Sequence, residues 1–440
     1  MQRRILAALL LSVLVLLPLQ GAQAGHQASH ARAGQVTLRF ATYAFDPWSK
    51  IFPKIAATYM AEHPNVKVET IVSAAQFYPK IQAEAVAHQG VPDVFIMDPQ
   101  VLAVMADRGI LMPLDSFVKT RKLDLTQYWP NAITDSRYNK ATRTIGSGDL
   151  YAMPLTNDQD ELFFNQTAFD KAHVAYPHEG TTWAQVRDMV IKLTLDKNGR
   201  NPAQAGFDAK HIVQYGLNGL GDRQILEIIQ DFGGAVIGPD YKHSVIDQTA
   251  AKTAISWLAD LYKMHVIPQS GALAGLGDAF IAGKVAVSLD GNWQVDYYVS
   301  TIRKFTWDIA PVPTGPRGTP YVIGDSNSWS MYAHTQHPNE AWDLLSWLAG
   351  SEAMTKYSTA IGLPGLKSAQ AAWGNPKRPA HRGIMSKYMQ WTHNNQEGLH
   401  EAEWRAALGQ NLQAVWLGRA TPEQGAKTTA AAIDRILQSP

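Results

Sequence analysis

The chain contains no cysteine. Disulfides, thiol nucleophiles and cysteine-ligated zinc sites are therefore excluded, and so is the lipid-bearing cysteine of an anchored lipoprotein. Charge is also scarce. Asp, Glu, Lys and Arg make up 18% of 440 residues, and 39 basic side chains face 38 acidic ones. Such a balance leaves no electrostatic footprint for nucleic acid or an anionic membrane. Internal repeats, heptads and low-complexity blocks are missing. The one long apolar run, Ile5 to Leu19, has the length of a signal core and is short for a bilayer span. Arg3 and Arg4 precede it, and the small-residue site Ala22-Gln23-Ala24 follows. A signal peptide over residues 1–24 is expected, then a flexible leader over 25–34. The alternative is a short uncleaved anchor. The expected product is exported, soluble and periplasmic.

What is present is apolar and aromatic. Hydrophobic residues make up 46% of the chain, with 13 Trp and 16 Tyr. That supports a sizeable core and leaves aromatic rings over for a binding surface. Val36, Leu38 and Phe40 alternate as in a strand, and the helical stretch Ile51 to Ala61 stops at His63-Pro64-Asn65. A strand starts at Val66, a helix runs from Tyr78 to His88, and Pro92 to Asp98 reads as a buried strand ending on a carboxylate. Strand and helix in alternation predict an α/β fold with right-handed crossovers and a mostly parallel sheet. Later, Thr182-Trp183-Ala184-Gln185 reads as a capping box.

The most informative segment runs from Phe280 to Trp293. Gly283 ends a helical turn, Val285 to Leu289 reads as a buried strand, and Asp290-Gly291-Asn292 is a turn that delivers Trp293 to the strand's carboxyl end. Ligands of open α/β sheets bind there. A flat ring so placed suits stacking on the apolar face of a sugar; a core aromatic is the plainer reading.

The pattern F-x-x-G-K-V-A-x-x-x-x-G-x-W over Phe280–Trp293 resembles the extracellular solute-binding proteins of ABC importers, the group with maltodextrin and glycerol-phosphate binders. Pro92-Asp93-Val94-Phe95, Tyr151-Ala152-Met153-Pro154-Leu155, Phe163-Phe164-Asn165, Phe169-Asp170-Lys171-Ala172 and Thr181-Thr182-Trp183 follow the family's order. The resemblance implies a two-lobed periplasmic-binding-protein fold of type II, with mostly parallel sheets joined by hinge strands. Crossings are expected near Ala152–Thr156, Pro311–Pro313 and Tyr357–Pro364. The implied division is 35–152 and 313–356 in one lobe, and 153–312 and 357–440 in the other.

Candidate ligand residues follow. Tyr43, Asp46 and Trp48 occupy the first strand-end loop, where Asp46-Pro47 can equally be turn chemistry. Asp98 can accept two sugar hydroxyls or cap the helix after it. Of Thr156 to Asp160, strand alternation aims only some side chains inward, and Asp158 is selected. Asn292 and Trp293 come from the turn above. Asp325 and Asn327 lie in a polar turn at a family cleft position, and Gly362 in the family's late cleft-facing turn; both segments are otherwise ordinary loops. No residue is assigned a catalytic or metal role, and no cofactor is expected. The expected function is a monomeric carrier that hands a carbohydrate to the transmembrane subunits of an ABC permease, with no nucleic-acid partner. The alternatives are a binder of glycerol-phosphate-type esters, for which Arg137, Arg143 and Arg223 are candidate cations, and a secreted glycoside hydrolase with two matched carboxylates.

Overall fold

The computed structural model describes residues 34–45, 48–73, 76–374, 378–394 and 398–439; the expected signal peptide and most of the leader lie outside them. Two sheets, each with its own hydrophobic cluster, divide the chain into two lobes.

In the first lobe, Val36–Tyr43 pairs in parallel with Val66–Ser73 on one side and Val94–Met97 on the other. Helices Trp48–Glu62 and Phe77–Val86 make the crossovers. All four residues of Val94–Met97 are buried, as a strand covered on both faces should be. Phe40, Phe52 and Trp329 meet in edge or tilted ring contacts at 5.1–6.1 Å, the geometry favoured by aromatic quadrupoles.

The second lobe is built on Asp158–Asn165, whose eight residues are all buried. Val285–Gly291, Trp307–Ala310 and Val322–Asp325 each pair antiparallel with it. Ile212–Leu217 joins Val285–Gly291 in parallel, and Thr392–Asn394 joins Val322–Asp325 in parallel. The parallel βαβ order thus holds for the first three strands of the chain, while strands near the crossings add antiparallel pairs and make both sheets mixed. Antiparallel neighbours need no helical crossover, so a short link suffices. The capping box is present: Gln185 N–H donates to Thr182 Oγ1 at 3.2 Å, and Thr182 N–H donates to Gln185 Oε1 at 2.8 Å.

Among the described residues the chain passes between lobes at three places. Met153–Pro154 lies in the first sheet and Asp158 begins the second, so Leu155–Asn157 is a link. Val322–Asp325 lies in the second sheet and Ser328–Met331 in the first, so Ser326-Asn327 is another. The third follows helix Ser351–Ile361, which packs on Trp48–Glu62 of the first lobe, whereas Leu363 joins a small cluster with Phe163 and Phe280. The three links bond to one another: Leu155 N–H to Asn327 O at 2.8 Å, Asn157 N–H to Leu363 O at 2.7 Å, and Gly365 N–H to Leu155 O at 3.0 Å. The passage expected at Pro311–Pro313 is corrected to Ser326-Asn327. Val312 is buried in the second core and Thr314 N–H donates to Thr181 O, so the prolines end a strand without leaving the lobe.

Candidate functional site

The first part of the site grows from strand alternation at the start of Asp158–Asn165. Thr156, Asp158 and Asp160 point one way. Asn157, Gln159 and Glu161 point the other, where Asn157 bonds Asn131 at 2.7 Å and Gln159 Nε2 donates to Glu161 at 2.5 Å. On the first face, Asp158 Oδ2 accepts from Thr156 Oγ1 and from Asn327 Nδ2, both at 2.9 Å. Asn327 Oδ1 in turn accepts from the Tyr43 hydroxyl at 3.0 Å. Tyr43, Asn327 and Asp158, from three distant segments, thus form one chain across the lobe boundary. Among the described residues Asp158 Oδ1 has no partner, although the residue is buried. Gly362, at φ 126°, borders that oxygen: a Cβ there would lie 3.9 Å from it. Burial pushes the Asp158 carboxyl up to about 7 and the Asp325 charge adds to this, against Asn327, Thr156 and Arg223.

Trp293 begins the second part. It is half-buried and belongs to none of the three hydrophobic clusters. Its ring folds over Gly291, where a Cβ would lie 2.0 Å from Cζ3. Gly291 pairs across the sheet with Asp160. Asp160 Oδ1 accepts from Arg223 Nε at 2.7 Å, and the guanidinium lies 5.1 Å from the Trp293 ring centre, a cation–π distance. Arg223 also pairs with Asp325. Asn292 Nδ2 donates to Asn157 O at 3.1 Å, which orients its Oδ1 as an acceptor without a partner. Asp160 Oδ2 has none either, and burial raises that carboxyl despite Arg223.

Of the two roles weighed for Asp98, the structure shows the helix cap. Its Oδ1 caps helix Pro99–Asp107 by accepting from Gln100 N–H at 3.0 Å, and its backbone N–H donates to the Tyr78 hydroxyl at 2.7 Å. Burial and then the Asp325 charge push the carboxyl up to about 6, while Gln100, Arg405 and Arg223 hold it down. Arg405 stands on helix Glu401–Trp416, which packs against Pro99–Asp107. It pairs with Asp222 at 2.5 Å and Glu401 at 3.1 Å. Trp48 is placed differently: it is buried, and its indole N–H donates to Ile361 O at 2.7 Å, which makes it a support behind Tyr43. Asp46 lies outside the described residues.

The structure therefore brings Tyr43, Asp98, Asp158, Asn292, Trp293, Asp325, Asn327 and Gly362 around the lobe boundary. Sequence reasoning weighed Asp160 but selected Asp158, did not reach Arg405 and Glu401, and left Arg223 unplaced. The signal available was the strand-end turn Gly219-Leu220-Gly221 opening the helix that carries Asp222 and Arg223, and the i, i+4 pair Glu401 and Arg405.

The pattern that defines bacterial extracellular solute-binding proteins matches residues 46–355. A binding protein of Brucella abortus is 20% identical over 93% of this chain and 95% of its own. Among solved structures, a substrate-binding protein of Listeria monocytogenes in complex with cycloalternan superposes with a TM-score of 0.79, at 19% identity over 91% of this chain and 98% of that one. The cyclic α-maltosyl-1,6-maltose binding protein of Arthrobacter globiformis gives 0.75, at 18% identity over 92% and 100%. A Streptomyces glaucescens receptor solved without ligand and with acarbose gives 0.73, at 20% identity over 92% and 99%. No helix among the described residues is long and apolar enough to cross a membrane. The chain belongs to the bacterial extracellular solute-binding proteins.

Proposed function

We propose that this protein captures a carbohydrate, a sugar or an oligosaccharide, between its two lobes and delivers it to the membrane subunits of an ABC importer. The observation that carries this reading is the kind of polar atom left over at the lobe boundary. Among the described residues, Asp158 Oδ1, Asp160 Oδ2 and Asn292 Oδ1 are buried without a partner, and each can accept a hydrogen bond. A buried acceptor without a donor costs about 1–3 kcal/mol, so a ligand that presents donors would complete them. Sugar hydroxyls do so, and the half-buried Trp293 ring beside them offers a stacking face for C–H groups. The solved neighbours in complex with cycloalternan and with acarbose support the same class. Both arginines are already engaged by carboxylates, Arg223 by Asp160 and Asp325, Arg405 by Asp222 and Glu401. That arrangement favours a neutral ligand over a glycerol-phosphate ester, which needs free cations.

The protein acts as a monomeric carrier and performs no chemistry on its ligand. It is exported to the periplasm by a leader cleaved after Ala24, and its lobes close by rotation at the three links. A thermal-shift screen over neutral sugars, oligosaccharides and phosphodiesters tests the class. A ligand at 100 times its Kd should add about 2.7 kcal/mol of stability. Stabilisation by phosphodiesters alone would overturn the carbohydrate reading, and turnover of an oligosaccharide would overturn the carrier reading.

A further inference from the structure

On the face that Asp158 and Asp160 share, negative charge outnumbers positive. Asp158, Asp160 and Asp325 are all buried. Among the described residues the cation bonded to this group is Arg223, whose Nε donates to Asp160 at 2.7 Å and whose Nη1 donates to Asp325. Asp158 is left with neutral donors, Thr156 Oγ1 and Asn327 Nδ2. Yet Asp158 stands directly opposite Asp325 where strand Asp158–Asn165 pairs antiparallel with Val322–Asp325. Opposed side chains have Cβ atoms about 4.5–5.5 Å apart, and like charges so placed repel. Both residues belong to the second sheet, so a rotation between the lobes leaves them opposed.

The other titratable groups around this cluster have partners of their own. From helix Asp222–Asp231, Glu227 accepts from Ile323 N–H at 2.7 Å. From the first lobe, Tyr43 donates to Asn327 and Asp98 caps its helix. From helix Glu401–Trp416, Glu401 and Arg405 pair with each other, and Arg405 also pairs with Asp222. None of them brings a second cation to Asp158. Three buried carboxylates around one guanidinium cannot all stay ionised cheaply, and the one that takes a proton is the one the arginine does not reach. The rise of the Asp158 carboxyl to about 7, from burial and then from Asp325, agrees with this charge count. Thr156 and Asn327 both donate to Oδ2, so Oδ1 is the oxygen open to the proton. A sugar hydroxyl that donates to Oδ1 needs the same place, and it bonds more strongly to the ionised form.

We infer that sugar and proton compete for Asp158 Oδ1, so that the protein gives up a proton to the buffer as it takes up a sugar and lets the sugar go in acid. This rests on the carbohydrate reading. The experiment is calorimetry of the wild type with maltotriose and mannotriose, in two buffers of different ionisation enthalpy, which reads affinity and proton exchange together. Binding near neutral pH should release part of a proton, and Kd should rise at least about tenfold from about pH 8 to about pH 5.5. Asp158→Asn cannot titrate, so its weaker binding should carry no proton release, with circular dichroism showing that it folds. Asp325→Asn removes the opposing charge and keeps Asp158, so the midpoint of the pH dependence should move down while binding persists. Proton uptake or no exchange in the wild type would overturn the linkage and leave the carbohydrate reading standing. So would a pH dependence that either variant keeps unchanged. A wild type that binds neither trisaccharide at any pH would count against the carbohydrate reading itself, and the linkage would fall with it.

Discussion

On the first lobe, Tyr43 packs against Trp48, Phe77 and Tyr78 with ring centres 5.7, 5.9 and 6.4 Å apart, whereas the facing surface of the second lobe is an ion network with one half-buried ring. The two walls fail differently. Aromatic packing loses free energy in proportion to the area removed, so trimming one polar atom changes little. A buried ion cluster stands only while its partners stand, because each charge has left water and removing one strands the others. The second wall is therefore all-or-none, and the first is graded.

The widest gap should come from paired charge and hydroxyl deletions. Arg223→Met leaves Asp160 and Asp325 buried without their cation and should cost about 3–5 kcal/mol in urea unfolding. Tyr43→Phe on the opposite wall removes only the bond to Asn327, about 1 kcal/mol. Similar losses would dissolve the contrast.

Two tryptophans sharpen it next. Trp329, fully buried in the first core, should cost about 3–5 kcal/mol as Trp329→Ala. Trp293→Ala should leave the apo melting temperature nearly unchanged and lower ligand affinity at least about tenfold, from a lost aromatic contact and its burial. A sharp fall in apo stability for Trp293→Ala would place that ring in the fold rather than the site.

A gentler probe is Gly291→Ala, whose Cβ would collide with the Trp293 ring 2.0 Å away. Displacing the ring should weaken binding by less than deleting it, on the order of several-fold, again with little loss of apo stability. Unchanged affinity would show that the ring's position over Gly291 is immaterial.

The smallest effect is the pH slope. Asp158 titrates near 3.8 in an unfolded chain and is raised to about 7 in the fold, chiefly by burial. Its protonated form is thus favoured by folding. That contribution is fully present below about pH 3.8 and is lost as pH rises towards about 7. Asp158→Asn should flatten this part of the stability–pH curve, measured by urea unfolding between about pH 4 and 8. A slope unchanged by the substitution would assign the effect to other groups, of which Asp98, raised to about 6, is the nearest candidate.

The α/β class and the first three strands were legible because alternation and helix stops are local signals. The place of Trp293 just past a strand end was legible from the buried run before it, although the expected turn Asp290-Gly291-Asn292 is corrected: the strand runs on through Gly291, where Asp290 and Gly291 pair with Glu161 and Asp160. Thr156 to Asp160 were half legible: alternation says that every second side chain shares a face, but only the fold shows that the face of Asp158 also holds Asp160 and Arg223. The ion network was hidden because Arg223 meets Asp160 and Asp325 across 63 and 102 residues, and no short-range pattern records such a pairing. The link at Ser326-Asn327 was missed because Pro311–Pro313 is the stronger breaker, and a breaker marks the end of a strand, not the lobe that the chain enters next. Trp48 misled for a related reason. Its position after a strand-end loop suits a site, yet the carbonyl that takes its N–H belongs to Ile361, 313 residues away.

Asn327 has a double duty in time as well as in space. Its carbonyl accepts from Leu155 and Thr156, and its side chain joins Asp158 to Tyr43. A rotation of one sheet against the other must work through the residue that also holds the candidate ligand carboxylate in place. On the closure proposed above, occupancy and lobe angle would be a single coordinate. The residence time of a bound molecule would then be the lifetime of the closed form, and the measured Kd would equal the intrinsic Kd divided by the fraction of molecules able to bind. Substitutions that loosen the Asn327 linkage should therefore speed release even of ligands that never touch it.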